Sequence, residues 1–203
     1  MKLRSIALVL TVALASAAAK AQSGAYLTFN AEQFTQNGIY ANPAQTSTGP
    51  HGNVDKPWIF GPGYGVYVDI THLPYLGVLK TGPVVVGVDA RGQTLRVSEY
   101  GSTLNRQDGI FSLRVATKTP IWKSTPYVQG GFGIGHTKVP YKSYYQNNLV
   151  YQFGIGLDRP VCKHIDWRVE GTAGFLGNYT VGVGPGQSNY IVTVDTGFVY
   201  RFK

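Results

Sequence analysis

The sequence predicts an all-β protein, an eight-stranded antiparallel up-and-down barrel that crosses a membrane with its strands. Three observations carry that expectation. The last run, Ser188 to Lys203, alternates with period two, with Tyr190, Val192, Val194, Thr196, Phe198, Tyr200 and Phe202 on one face and Ile191, Thr193, Asp195, Gly197, Val199 and Arg201 on the other. An apolar stripe with aromatic ends, opposite a face that carries charge, suits a strand with lipid outside and a polar lumen inside. Polar and Gly/Pro-rich clusters divide the rest of the chain into seven further extended runs, giving eight in all, the smallest usual number for a closed barrel in a membrane. The N-terminus reads as an export leader.

That leader, 1–21, has a basic start (Lys2, Arg4), an apolar run from Ile6 to Ala18 and a small-residue cleavage pattern at Ala19-Lys20-Ala21, the pattern of a secretory signal. Its apolar run is shorter than the ~20 residues that span a bilayer as a helix. Cleavage before Gln22 takes 21 residues from 203 and leaves 182, the single barrel domain 22–203. Loss of Lys2, Arg4 and Lys20 lowers the formal charge from +8 to +5. What remains is a modest basic excess and not the footprint of a nucleic-acid binder. The one cysteine, Cys162, excludes an internal disulfide framework,.

The eight runs have approximate limits 24–34, 60–71, 82–97, 109–119, 126–139, 148–159, 165–177 and 188–202. The second sets Tyr64, Val66, Val68 and Ile70 against Gly65, Tyr67 and Asp69, and the third sets Val84, Val86, Val88 and Ala90 against Gly87, Asp89 and Arg91. The fourth opposes Phe111, Leu113 and Val115 to Ser112 and Arg114. The fifth holds Gly130, Gly131, Gly133 and Gly135, where missing side chains relieve crowding at tight curvature,. The sixth sets Leu149, Tyr151, Phe153, Ile155 and Leu157 against Gln152, Gly154, Gly156 and Asp158. The seventh sets Ile165, Trp167, Val169, Ala173 and Phe175 against Asp166, Arg168, Glu170 and Thr172. Pro62, Pro83, Pro120, Pro126, Pro140, Pro160 and Pro185 fall at run ends or in connections, where a missing N–H breaks no central ladder bond,.

The connections differ in length. Long polar loops are expected at Thr35 to Ile59, Ser98 to Asp108, Pro140 to Asn147 and Asn178 to Gln187, and short joints at Pro120 to Thr125 and Pro160 to His164, with His72 to Thr81 a longer exception. Long loops on one rim and short turns on the other are the outer-membrane arrangement, long loops outside the cell and short turns in the periplasm. Aromatics near run ends, namely Trp58, Phe60, Tyr64, Trp122, Tyr127, Tyr144, Tyr145, Trp167, Tyr190, Tyr200 and Phe202, are expected to form two interfacial girdles,.

Charge recurs on the second face of run after run: Asp69, Asp89, Arg91, Arg114, Asp158, Arg168, Glu170, Asp195 and Arg201. Inside a narrow barrel such groups must pair and hydrogen-bond, because an unpaired buried charge is expensive. The set is the candidate lumen network.

With the leader, the stretch Asp166-Trp167-Arg168-Val169-Glu170 and the closing Thr196-Gly197-Phe198-Val199-Tyr200-Arg201-Phe202 in view, the chain resembles the small outer-membrane β-barrels of Gram-negative bacteria, the OmpA/OmpX-like eight-stranded proteins. The resemblance covers essentially the whole mature length. It implies residence in the outer membrane, and that Phe198, Tyr200 and Phe202 present the signal read by the barrel assembly machinery. Members of the family end on the aromatic itself, whereas here Lys203 follows it.

No catalytic constellation is expected. His51, His72, His136 and His164 are the available neutral-pH bases, and none falls in an ordered nucleophile, base and acid arrangement. The run Gly130 to Gly135 lacks the strand-to-helix setting and the Lys-Ser pair of a phosphate loop,. Cys162 and His164, spaced C-x-H without further ligands, do not make a zinc site,. No cofactor and no metal follow. Expected partners are outer-membrane lipids, with Lys138 and Lys142 placed to meet lipopolysaccharide phosphates and Lys118, Lys123, Arg159 and Lys163 on the periplasmic side,. A monomer is expected, with a structural or surface-interaction role in envelope integrity or adhesion through the first loop. The alternative readings are a narrow pore for small solutes and a soluble lipocalin-like periplasmic carrier.

Overall fold

A computed structural model of the chain describes residues 23–34, 58–70, 83–99, 102–138, 145–178 and 189–202. The expected leader and the loops over 35–57, 71–82, 139–144 and 179–188 lie outside these residues. The strands are β1 (Ser23–Phe34), β2 (Trp58–Asp69), β3 (Val84–Glu99), β4 (Ser102–Thr117), β5 (Thr125–Lys138), β6 (Tyr145–Pro160), β7 (Ile165–Asn178) and β8 (Asn189–Phe202). They form one closed barrel in chain order, each antiparallel to its neighbours, with β1 paired to β8 from Ser23↔Phe202 to Phe34↔Ile191. Closure leaves no free sheet edge. Both ends of the described chain lie on the same rim, called here the terminal rim.

The expected long loop from Ser98 to Asp108 is not there. Glu99 pairs with Ser102, and the β3–β4 ladder runs on without a break to Val84↔Thr117. The polar character of this stretch belongs to strand, because Leu104, Arg106 and Asp108 point into the barrel while Asn105 and Gln107 point out. Of the other joints, Pro120 to Thr125 is short as expected. Ile121 and Ser124 exchange backbone hydrogen bonds of 2.8 and 2.9 Å, and Trp122 and Lys123 between them have φ of 51° and 63°. Two consecutive positive φ values make the turn twist with the strands, at the roughly 1–2 kcal/mol per residue that a non-glycine residue loses in this region.

Inward and outward faces alternate without a slip. Outward are Leu27, Phe29, Phe60, Phe111, Leu113, Phe132, Ile134, Phe153, Ile155 and Phe198, all more than two-fifths exposed. Trp167, also outward, donates its indole N–H to Thr196 Oγ1 at 2.8 Å, and Thr196 Oγ1 in turn donates to the Arg168 carbonyl at 3.1 Å. These two polar groups on the apolar wall are thus hydrogen-bonded, as a medium without water demands.

Glycine sets the bore where aromatic rings enter it. Tyr26 faces Gly65 across β1–β2, and Tyr127 faces Gly156 across β5–β6. A Cβ on Gly65 would stand 2.3 Å from Tyr26 Oη, and one on Gly156 would stand 2.5 Å from Tyr127 Cζ. Each ring lies on bare backbone of the next strand.

The aromatic girdles need two corrections. Tyr127 is buried in the lumen at 3% exposure and belongs to no girdle. Its position in β5 is that of an inward residue, since its neighbours Pro126 and Val128 take the outward parity. Tyr64 faces out but lies in the middle of β2, beside Leu27 and Gly92. Trp58, Phe60 and Tyr190 lie toward the far rim and Trp167, Tyr200 and Phe202 toward the terminal rim, with edge contacts Phe175–Tyr190 and Tyr200–Phe202 at 5.5 Å. Trp122 stands on the β4–β5 turn, almost fully exposed. Tyr144 and the side chain of Tyr145 lie outside the described residues.

Candidate functional site: a charged and sealed lumen

The lumen is built in layers. At the terminal rim, Arg201 Nε lies 3.0 Å from Asp166 Oδ2, with Asp69 buried at the same mouth. Further in, Asp158 accepts hydrogen bonds from Arg114 Nη2 at 2.6 Å and from Arg168 Nε and Nη2 at 2.8 and 3.0 Å. The two guanidiniums stack among the tyrosines: Arg168 lies 4.3 Å from the centroid of Tyr26, and Arg114 lies 4.4 and 4.1 Å from those of Tyr67 and Tyr127. Cation–ring attraction of this kind gains in strength where water is excluded.

Above this plug lies a second layer. Glu170 accepts from Arg91 Nη1 and Nη2 at 2.7 and 3.3 Å, from Tyr127 Oη at 2.6 Å and from the Gln129 amide. Asp89 accepts from Tyr26 Oη at 2.8 Å and from Arg91 Nε at 3.2 Å. Asp195 stands opposite Glu170 in the β7–β8 register. The third layer is centred on Arg106, whose Nε donates to Asp108 Oδ1 at 2.9 Å and whose Nη1 donates to Glu32. Thr193 Oγ1 and Gln93 Nε2 complete the shells of Glu32 and Asp108, and Asn30 Nδ2 donates to Gln93 Oε1 at 2.9 Å.

Between this layer and the far rim the lumen turns apolar. Ile59, Leu95, Leu104, Ile110, Val150, Leu176 and Ile191 form one buried cluster, with Val97 packed on it. It closes the bore above the charges. Two polar cavities are seen in the lumen: one of about 60 Å³ at the terminal mouth, lined by Asp69, Arg114 and Asp166, and one of about 10 Å³ beside Arg91, Arg168 and Asp195. A water needs roughly 10–15 Å³, so the first holds a few molecules and the second at most one. Larger hollows, of about 730 and 840 Å³, lie on the apolar outward wall against Ile155 and Val194 and against Leu27 and Phe198.

All nine residues of the candidate network take inward positions: Asp69, Asp89, Arg91, Arg114, Asp158, Arg168, Glu170, Asp195 and Arg201. They occupy the first two layers. The third layer, Glu32, Arg106 and Asp108, is absent from that set, as are the tyrosines that sandwich the arginines. Arg106 and Asp108 were hidden by the loop assigned to Ser98 to Asp108, although Leu104, Arg106, Asp108 and Ile110 continue the parity of Ser112 and Arg114. Glu32 shares its parity with Tyr26, Thr28 and Asn30. Phe198, Tyr200 and Phe202 face outward along β8. Cys162 is a free, exposed thiol, His164 stacks on Tyr200 at 5.9 Å, and among the described residues there is no cluster of three or more possible metal ligands.

An apolar wall around a charged, hydrogen-bonded interior inverts the plan of a water-soluble barrel and defines an integral membrane barrel of the outer-membrane type. A lipocalin-like carrier is thereby contradicted, because it requires its apolar faces inside around a ligand. Known structures share the fold. Neisserial surface protein A superposes with a TM-score of 0.59 at 8% identity, over 88% of this chain and 96% of its own. Ail, the attachment invasion locus protein of Yersinia pestis, solved in complex with the heparin analogue sucrose octasulfate, gives a TM-score of 0.50 at 10% identity over 90% and 99%. No protein-family model and no curated protein matches the sequence.

Proposed function

We propose that the protein is a monomeric outer-membrane barrel with a structural or surface-interaction role, not a conductor of solutes. The observation that carries this reading is the apolar cluster stacked over the charged layers. An ion crossing the lumen would have to leave water for Leu95, Leu104 and Ile191 and then part the ion pairs of Arg106, both steps costly in a low-dielectric bore. Work then falls to the surfaces, with the first loop, 35–57, as the longest segment between strands. The test is planar-bilayer conductance of the purified protein. The parent chain is expected to give no stable conductance; stable steps that Arg168→Ala and Glu170→Ala alter would overturn the reading.

The outward aromatics of β8 support a second element of the same proposal. Phe198, Tyr200 and Phe202 are half-exposed on the strand that closes the ring against β1, where assembly machinery approaching from the lipid side would meet them. Phe202→Ala combined with Tyr200→Ala is expected to lower the yield of membrane-inserted protein in cells several-fold, while the same variant still folds into detergent micelles in vitro. Equal yields in cells would remove these residues from assembly.

A further inference from the structure

The outward wall is not apolar all the way round at its far rim. On β3, β4 and β5 the register places Arg96, Asn105 and Lys138 in one row. One row nearer the barrel middle, Gln107, His136 and Asn147 lie side by side across β4, β5 and β6. All six face outward. Arg96, Gln107, Lys138 and Asn147 are exposed and the other two half-buried. His136 Nδ1 and Asn147 Oδ1 are hydrogen-bonded at 2.6 Å, which fixes both side chains on the wall. Just below them the wall turns apolar, with Phe111, Ile134 and Leu149 on the same three strands. Elsewhere at the far rim the outward residues are largely apolar and carry no charge: Ala31 and Gln33 on β1, Trp58 and Phe60 on β2, Phe175 and Gly177 on β7, and Tyr190 and Val192 on β8.

The charge of this sector has one sign. Among the described side chains, no carboxylate faces outward from any strand, and neither Arg96 nor Lys138 makes an ion pair. Two cations and four hydrogen-bonding side chains therefore stand at the edge of the apolar band, where acyl chains end and headgroups begin. That setting favours an anion carried on a lipid, because the chains pack on Phe111 and Ile134 while the headgroup meets the guanidinium and ammonium. A merely solvated rim would need no such segregation of charge.

From this juxtaposition we infer that the β3–β6 sector of the far rim is a binding site for the phosphates of an outer-leaflet glycolipid, with Arg96 and Lys138 as the phosphate ligands. The inference rests on the membrane-barrel reading and deepens its lipid partner to a defined site. Arg96 forks onto phosphate oxygens, Lys138 acts as a point charge beside it, and Asn105, Gln107 and the His136–Asn147 pair meet the sugar hydroxyls. The site closes on a lipid already held in the bilayer, so it need not be deep.

The test uses the folded protein in mixed micelles with diphosphoryl lipid A, the same lipid stripped of phosphate, or inorganic phosphate as competitor, and counts retained lipid by native mass spectrometry. The parent is expected to retain the phosphorylated lipid in preference to the stripped one. Arg96→Gln with Lys138→Gln is expected to reduce that retention about tenfold, the order given by losing charge-assisted contacts, while Arg159→Gln at the terminal rim leaves it unchanged. Equal retention of the two lipids by the parent, or unchanged retention by the double variant, would overturn the site. Displacement by millimolar inorganic phosphate alone would show a free-anion site and overturn the lipid assignment. Heat-modifiable mobility measured on the same samples reports separately on the barrel, so a chain that never forms one fails the underlying reading and not the site.

Discussion

Replacing Arg168 by alanine is expected to lower the unfolding free energy of the bilayer-inserted barrel by about 3–5 kcal/mol, the range found when one partner of a buried ion pair is removed. Arg168 is 1% exposed, holds Asp158 through two hydrogen bonds and fills the space against Tyr26. Its loss leaves Asp158 to Arg114 alone and opens a void under the rings. Arg168→Met separates the two effects, since it restores bulk without charge. Because Asp158 keeps Arg114, the methionine variant is expected to lose clearly less than the alanine variant. Urea titration of liposome-reconstituted protein, read by heat-modifiable gel mobility, measures both; an alanine variant within about 0.5 kcal/mol of the parent, the scatter of ordinary surface changes, would remove the plug from the account.

Arg106→Ala is expected to be at least as damaging, again about 3–5 kcal/mol. Glu32 and Asp108 are then left facing one another, buried at 0% and 6% exposure under the apolar cluster. Among the described residues no second guanidinium reaches either carboxylate. Here the companion change is at the acids: Glu32→Gln with Asp108→Asn in the Arg106→Ala background removes the stranded charges and is expected to recover more than half of the loss. The same titration checks it, and a triple variant no more stable than Arg106→Ala would show that the cost lies in packing and not in unpaired charge. The coupling should be strongly non-additive, as for groups sharing one network.

These two arginines mark how much of the molecule was legible in the sequence. Arg168 stands in the unbroken alternation from Ile165 to Val169 and on to Thr172, where inward Asp166, Arg168, Glu170 and Thr172 alternate with outward Ile165, Trp167 and Val169, so its face could be read directly. Arg106 lies in Ser102 to Asp108, where the outward residues Asn105 and Gln107 are polar and the inward ones mix Leu104 with Arg106 and Asp108. Hydrophobic contrast is the signal that period-two reading depends on, and at the far rim of β3 and β4 it is reversed, with polar residues on the wall and Leu95, Val97 and Leu104 inside. The strand there is fixed by ladder pairing from Glu99↔Ser102 onward, which is a property of two segments together and invisible in either alone. The same reversal of contrast conceals the outward row of Arg96, Asn105 and Lys138.

Tyrosine was ambiguous for a different reason. Its ring suits a lipid interface and its hydroxyl suits a buried carboxylate, so composition near a strand end could not separate Tyr200 on the wall from Tyr127 in the bore. The deciding signal is the facing residue. Tyr127 opposes Gly156 and Tyr26 opposes Gly65, inward glycines that leave room for a ring, whereas Tyr200 lies between Ala25 and Ile165 on the outward side. An inward tyrosine facing an inward glycine on the next strand is the sequence signature of the plug.

The central claim is that lipid lies on one face of every strand and a closed polar network on the other, and β6 tests it most directly. In a Cys162→Ser background the chain has no other cysteine, so single cysteines at positions 150 to 155 can be spin-labelled one at a time in reconstituted bilayers. Labels replacing Tyr151, Phe153 and Ile155 should collide freely with dissolved oxygen and little with a water-soluble nickel chelate, while labels replacing Val150 and Gln152 should meet neither. A uniform response along the strand, or nickel access at the even positions, would contradict a lipid-facing wall around a sealed lumen.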